Sequence, residues 1–276
     1  MKKLITAVLL LAPAMALASA SLKLERAPVN TSDIPSLQRG AKVFVNYCLS
    51  CHSAAYMRYN RLTDLGLSEQ QIKDNLMLAA DKVGETMQVA MRTKDAAQWF
   101  GAPPPDLTVI ARSRGADWLY AYLRSFYPDA SRPLGWNNIV FPNVGMPHVL
   151  YGLQGVRPLT VVEVTEIRDE KSGATIGYQR QTSVHDLSGT RSNKLEKLVG
   201  DNHHSSVEYR WGDPVGGQLN IQQFDELVGD LVNYLVYMGE PAGDARVRYG
   251  IYTILFLVLL IAVTYGLKRA YWKDVH

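Results

Sequence analysis

The most specific chemistry in this chain lies in five consecutive residues, Cys48-Leu-Ser-Cys51-His52. Two cysteines separated by two residues and followed at once by a histidine form the C-x-x-C-H pattern of covalent haem attachment. Each thiol can add to one vinyl group of the macrocycle, and the histidine then lies beneath the iron as its proximal ligand. Other uses of a cysteine pair fit less well. A thioredoxin-like dithiol belongs in a βαβ frame, whereas the residues before Cys48 are spaced as a helix. A zinc half-site needs further ligands, and the chain has no other cysteine and no His-x-x-x-His. For the same reason no cysteine remains for a disulfide elsewhere.

A second axial ligand has to come from far downstream, where the methionines are Met57, Met77, Met87, Met91, Met146 and Met238. Met146 stands out because Val140-Phe-Pro-Asn-Val-Gly-Met146-Pro147 is a loop whose glycine and prolines can present a thioether rigidly. The other downstream methionines from Met77 on fall in segments read as helical, and Met238 reads as core filler. His148 is the competing ligand. A thioether would raise the reduction potential relative to a second imidazole. His185, His203, His204 and His276 read as solvated surface residues, with the His203-His204 pair a minor metal candidate. No paired carboxylates and no nucleophile–base set accompany the motif, which suits outer-sphere electron transfer.

Several elements must position these residues. Ser36 is placed to cap a helix with apolar positions Leu37, Ala41, Phe44 and Val45, running into Cys48. Ser68-Glu-Gln-Gln71 is a capping-box pattern opening a helix to about Ala80. Glu85–Trp99 reads as a third helix. Gly101-Ala-Pro-Pro-Pro-Asp106 is a stiff loop, since three prolines fix φ and remove donors. Asp117–Tyr127 is an aromatic-rich helix, and Pro133–Pro147 is loop. Thr160–Arg168 and Thr175–Gln181 are β-branched runs around Asp169-Glu-Lys-Ser-Gly173, a hairpin signal. Residues 182–220 read as largely irregular. Gln222–Met238 is a strongly amphipathic helix ended by Pro241.

Both ends of the chain are apolar. Met1-Lys-Lys3, the run Leu4–Leu17 and the small residues Ala18-Ser19-Ala20 have the layout of a secretory signal peptide, cleaved after Ala20 or Ala18. Tyr249–Leu267 is 19 residues without a charge, long enough as a helix to cross a hydrocarbon core of about 30 Å. Tyr249 and Tyr252 at one end, and Tyr265, Tyr271 and Trp272 at the other, suit the two membrane interfaces. Arg246 and Arg248 nearly balance Lys268, Arg269 and Lys273 across the span, so the signal peptide decides the orientation. The expected organisation is a signal peptide over 1–20, an exported domain over 21–248, an anchor over 249–267 and a cytoplasmic tail over 268–276.

At 47% hydrophobic and 20% charged residues, the composition is that of a globular protein and neither a disordered nor a multi-span one. Five of the 29 basic residues and one of the 26 acidic ones lie in the two extreme termini. Residues 21–248 therefore carry 24 basic and 25 acidic side chains, a net of −1. Such a balance argues against nucleic acid as a partner, which wants a clustered basic face.

On these motifs the chain resembles cytochrome c1, the haem subunit of quinol–cytochrome c oxidoreductases, over nearly all of its mature length. The resemblance rests on Cys48-Leu-Ser-Cys-His52, on Pro104-Pro-Asp-Leu-Thr108 followed by Arg112 and Arg114, on Met146-Pro147, and on Leu235–Arg248 with Gly239-Glu-Pro241 leading into the anchor. It implies a mainly α fold: a c-type cytochrome domain with a small β-hairpin insertion and one C-terminal transmembrane helix. It implies one covalent haem c with His52 and Met146 on the iron. Arg114 would hydrogen-bond a propionate, with Arg112 as the alternative; Trp118 would lie beside the haem and Pro105 would pack on it. The haem would take electrons from a Rieske iron–sulfur protein and pass them to a cytochrome c. Cytochrome b and lipid would surround the anchor, in a complex that dimerises, with the haem domain on the periplasmic side of a bacterial inner membrane. Isolated from that complex, the chain has no acid–base active site of its own. Some bacterial members carry an extra disulfide near the haem, for which this chain lacks cysteines, and residues 156–217 match no familiar feature. Alternatives are a stand-alone anchored cytochrome feeding a terminal oxidase or reductase, or a gas sensor or peroxidase, both of which need an open iron.

Overall fold

The computed structural model describes residues 24–89, 91–169, 172–199 and 203–274. The expected signal peptide and His276 lie outside the described residues. Helix α1 (Ile34–Val43) begins where Asp33 accepts the Ser36 N–H at 3.1 Å, with Pro35 in the first turn. The cap is thus Asp33 and not Ser36. Proline suits a first turn because its missing N–H has no intrahelical partner there, and Ser36 is buried one turn in. The helix runs on into a π-helical turn, Phe44–Cys48. Cys51 N and His52 N then bond back to Cys48 O at 3.0 and 2.8 Å.

Strand β1 (Ala54–Arg58) leads into a 3₁₀ segment, Tyr59–Leu65. Helix α2 (Glu69–Asn75) opens with the expected capping box between Ser68 and Gln71, but stops at Asn75 and not near Ala80. Asn75 bonds its side chain back to Gln71 O at 2.9 Å, in competition with the helical ladder. Glu85–Trp99 is not one helix. Thr86–Met87 forms strand β2, antiparallel to β1, and only Thr93–Phe100 is helical, as α3. Met87 is fully buried in that pairing, so tertiary contact overrides the local preference.

Helices α4 (Ile110–Arg114) and α5 (Ala116–Arg124) are separated by Gly115, whose φ of 89° breaks the helical path. Strands β3 (Phe126–Pro128) and β4 (Trp136–Asn138) form a small antiparallel pair. They take the end of the expected α5 and part of the expected loop. A short helix α6 (Tyr151–Gln154) follows.

The hairpin is present as β5 (Leu159–Arg168) and β6 (Thr175–His185), paired antiparallel from Leu159–His185 to Arg168–Thr175. It is the centre of a four-stranded sheet. β7 (Arg191–Leu198) adds to β6, and β8 (Ser206–Trp211) adds to β5, so about half of residues 182–220 is strand where irregular structure is expected. Most of β7 and β8 is exposed, so no apolar alternation marks these strands. His185 is not a solvated surface residue: it is 5% exposed and meets the Tyr127 ring edge-on at 4.8 Å.

Helix α7 (Ile221–Gly239) is the spine of the core, opened by a capping box between Asn220 and Gln223. It buries Phe224, Val228, Leu231, Leu235 and Met238 along one stripe. Each such side chain contributes about 1.5–3 kcal/mol when fully buried. Its main partner is α1. Phe44 and Tyr234 meet with ring centroids 5.6 Å apart, and Arg39 forms two bonds to Asp230 at 2.5 and 2.9 Å. The buried Asn233 takes the Asn30 N–H at 3.0 Å and donates to Asn30 O and Ser36 Oγ, tying the lead-in segment to the spine.

After Pro241, helix α8 (Gly243–Tyr271) is long, apolar and exposed on every side. Its most apolar 18-residue window has a mean hydropathy of 2.3, and none of that window is buried. Thr253 and Thr264 bond back to the Tyr249 and Leu260 carbonyls, so their hydroxyls are satisfied within the helix. Among the described residues this is the single helix able to cross a membrane.

The α1–α7 contact yields a stability prediction. A Cβ on Gly40 would lie 2.1 Å from Asp230 O, so the two backbones touch there. Gly40→Ala is expected to destabilise the full chain by at least ~1–3 kcal/mol, read as a lower thermal midpoint by circular dichroism in detergent. An unchanged midpoint would contradict this packing.

Candidate functional site

An apolar cavity of about 300 Å³ opens beside the Cys48–His52 turn, within the ~300–1,000 Å³ range of small-molecule sites. Cys48, Cys51 and His52 form one wall, the proline loop a second, and the segment through Met146 a third; Leu231 and Leu235 of α7 close it.

His52 is 8% exposed, and its Nδ1 lies 2.7 Å from Pro105 O. A carbonyl only accepts, so Nδ1 carries the proton and Nε2 keeps its lone pair. That is the tautomer a metal-ligating histidine needs. Burial pulls the imidazole pKa down, and the Pro105 bond and Asp106 oppose this only in part. The Cys48 thiol is pushed up to about 12, first by burial and then by Cys51. A thiol held so far above neutrality is not the activated thiolate of a disulfide oxidoreductase.

The proline loop is held by its own aspartate. Asp106 accepts Ala55 N at 2.7 Å and Thr108 N at 2.9 Å. Leu107 N donates to Ser53 O at 2.8 Å, and Tyr56 N to Thr108 Oγ1 at 3.3 Å. Residues 53–56, directly after the motif, are thus stitched to Pro105–Thr108. Pro105 lines the cavity and orients His52 through its main chain, a second task its ring does not reveal.

Arg114 and Trp118 lie one helical turn apart across Gly115. The guanidinium sits 5.0 Å from the Trp118 ring centroid and 5.8 Å from that of Phe141, within cation–π range of both. Trp118 stacks on Tyr122 at 4.8 Å. Tyr122 in turn donates its hydroxyl to Met146 Sδ at 3.3 Å, and burial raises its pKa so that the proton stays. Gly145 permits the close passage of this loop against α3, since a Cβ there would meet Phe100 O at 2.7 Å.

The cavity brings together Cys48, Cys51, His52, Pro105, Arg114, Trp118 and Met146. Two sequence candidates lie elsewhere. Arg112 packs at Gly239 and reaches Glu240 at 3.7 Å. His148 is buried behind the wall: Nε2 bonds Gln154 Oε1 at 2.7 Å and the ring stacks on Phe126 at 5.0 Å. Burial brings its pKa down to about 4, against the Gln154 bond. Asp106 and Tyr122 were not singled out from the sequence. Asp106 sits inside the quoted Pro-Pro-Asp-Leu segment, but Tyr122 has no signal beyond its aromatic-rich helix.

This donor set fits a covalently attached haem. Two thiols and a histidine of fixed tautomer share one wall, a thioether lines the same apolar space, and a guanidinium lines it too, suited to a carboxylate. Among the described residues no three His, Cys, Asp or Glu side chains gather to bind a bare metal ion.

Comparison with known proteins agrees. Residues 25–154 match the model of the cytochrome C1 family. The chain is 44% identical over its whole length to cytochrome c1 of Allochromatium vinosum, also covered in full. It is 42% identical over its whole length to a Nitrosomonas europaea protein named ammonia monooxygenase gamma subunit, covered over 99%. It is also 24% identical, over 90% of its length, to 34% of a cytochrome b/c1 of Bradyrhizobium diazoefficiens. The chain therefore belongs to the cytochrome c1 family, respiratory electron-transfer subunits that carry one covalently bound haem c.

Proposed function

We propose that this chain is the electron-relay subunit of a quinol–cytochrome c oxidoreductase, taking electrons one at a time from a Rieske iron–sulfur protein and passing them to a cytochrome c. The observation that carries the reading is an apolar cavity walled by Cys48, Cys51, His52 and Met146, together with the one membrane-length helix among the described residues. Cytochrome b is the partner around that helix, as the joined name cytochrome b/c1 of the Bradyrhizobium relative suggests, within a complex that dimerises. The exported domain spans 21–248 behind a signal peptide over 1–20. It lies on the periplasmic side of a bacterial inner membrane, with the anchor over 249–267 and the tail over 268–276 in the cytoplasm.

In this reading Cys48 and Cys51 would hold the macrocycle through their sulfurs, and His52 Nε2 and Met146 Sδ would be the ligands to its iron. The bound haem supplies a one-electron ferric–ferrous couple. The rest of the work falls to the chain. Pro105 O holds His52 in one tautomer, and its ring, which lines the cavity, would pack on the macrocycle. Arg114, within cation–π range of Trp118 and Phe141, would offer its donors to a propionate. Arg112, engaged with Glu240, does not share that task. The apolar walls exclude water, so that electron exchange needs little solvent rearrangement. The Tyr122 hydroxyl draws density from Met146 Sδ and so favours the reduced state.

The name of the Nitrosomonas relative supports a second reading, in which the haem exchanges electrons with a monooxygenase. Co-purification with haem b favours the first reading, and its absence the second or a stand-alone cytochrome.

Met146→Leu is expected to keep covalent haem c, lower the midpoint potential and open the ferrous iron to carbon monoxide. Quinol-driven reduction of cytochrome c in membranes should fall at least tenfold while haem b still reduces. Unchanged spectra would exclude Met146 as the ligand. Tyr122→Phe should keep both ligands but lower the potential by ~20–65 mV, the equivalent of a hydrogen bond contributing ~0.5–1.5 kcal/mol in one oxidation state. A redox titration measures it, and an unshifted or raised potential would contradict the role given to Tyr122.

A further inference from the structure

The loop that carries Met146 pairs with no strand and contains Pro142 and Pro147, so it cannot hold its own shape through a backbone ladder. Its N–H groups turn instead to two adjacent buried side chains, Asn137 and Asn138, which are 7% and 1% exposed. Asn137 Oδ1 accepts Asn138 N at 2.9 Å and Asn143 N at 2.8 Å. Asn138 Oδ1 accepts Val140 N at 2.9 Å and Phe141 N at 3.0 Å. Two amide oxygens thus satisfy four main-chain donors between residues 138 and 143.

Backbone N–H groups only donate, so both amides must turn their oxygens toward the loop. Their amino groups then face outward, to fixed points of the domain. Asn137 Nδ2 donates to Asp129 Oδ2 at 2.9 Å, and Asn138 Nδ2 to Tyr122 O at 2.8 Å. Asp129 is itself held by Ser131, through its N–H at 3.1 Å and its hydroxyl at 2.6 Å. From the surface side, half-buried Arg132 donates to Asn143 O at 3.0 Å and to Asn143 Oδ1 at 3.3 Å. Asn143 is the one described non-glycine residue with positive φ, at 62°. Asparagine tolerates this left-handed conformation better than most residues.

We infer that Asn137 and Asn138, with Arg132 outside them, are positioning residues that hold the 139–147 loop in the one shape that presents Met146 to the cavity. A thioether is a weak ligand, and a loop free to explore many conformations would leave the iron open for part of the time. The same Asn138 that bonds the loop also bonds the end of α5, which carries Tyr122. It therefore sets the sulfur and the hydroxyl that bonds it from a single point. This inference rests on the reading of Met146 as a ligand.

The test uses the haem-loaded full chain in its membrane complex, with Asn137→Ala, Asn138→Ala and Arg132→Ala. Asn233→Ala serves as a control, since it removes an equally buried asparagine far along the chain from the loop. Haem c content, the near-infrared ferric–thioether band, the midpoint potential and carbon monoxide binding are read in each. Asn137→Ala and Asn138→Ala are expected to keep covalent haem, lose at least half of the band, fall in potential and bind carbon monoxide at least tenfold faster. Arg132→Ala should move all three readouts in the same direction by less, and Asn233→Ala should leave the iron closed. A full band and an inert iron in both asparagine variants would overturn the inference, as would equal opening in Asn233→Ala. Should the buried variants fail to accumulate, Arg132→Ala decides alone, and no change there overturns it. Absence of the band from the wild type would remove the Met146 reading itself, a distinct failure.

Discussion

The hydrogen bond from His52 Nδ1 to Pro105 O, at 2.7 Å, joins the two parts of the sequence without which there is no site. On one side of it is the turn that ends the first helix and carries both cysteines. On the other is a loop stiffened by three prolines and fastened by Asp106 to Ala55. The bond fixes the imidazole tautomer, aims Nε2, and sets the distance between two walls of the cavity. Because the acceptor is a main-chain carbonyl, its position depends on the course of the loop and not on a side-chain rotamer. Gly40 and Gly145 serve the same end by different means, one letting α1 lie against α7 and the other letting the methionine loop pass Phe100.

The walls of the cavity are built on different principles. The His52 wall is regular backbone: a helix, a π-helical turn, and a strand bonded to the loop beside it. The Met146 wall has no ladder, and side-chain amides supply what strands supply elsewhere. Two walls held rigid by separate means suit a relay whose two oxidation states should differ little in geometry. The four-stranded sheet meets this arrangement through the edge-on contact of His185 with Tyr127 and through the turn after β6, where Gly189 O accepts the Ala130 N–H at 2.9 Å.

Legibility in the sequence followed the strength of the chemical constraint. C-x-x-C-H is readable because two covalent bonds and a ligand demand that spacing, and the anchor because a bilayer demands that length. The α7 stripe and the Ser68–Gln71 box are local patterns with local causes, and both are present. Thr86–Met87 carries no local strand signal, because its partner, β1, lies about thirty residues earlier in the sequence. The outer strands of the sheet are not legible in the sequence, because strands exposed on both faces have no apolar alternation. Arg112 and Arg114 could not be ranked by type, but two residues on a helix are about 200° apart. Only one of them can face the cavity, and it is Arg114. The asparagine brace on the Met146 loop has no motif at all, since any polar residue could stand at such positions until the fold shows which donors converge there.

The most direct test is an optical spectrum of the oxidised complex purified through a tag on this chain. A His52–Met146 relay within a quinol-oxidising complex gives the weak near-infrared ferric–thioether band together with c-type and b-type haem absorbance in one preparation. A preparation with c-type bands but no thioether band would contradict the His52–Met146 pair, and one without haem b would contradict the place given to the chain in a quinol-oxidising complex.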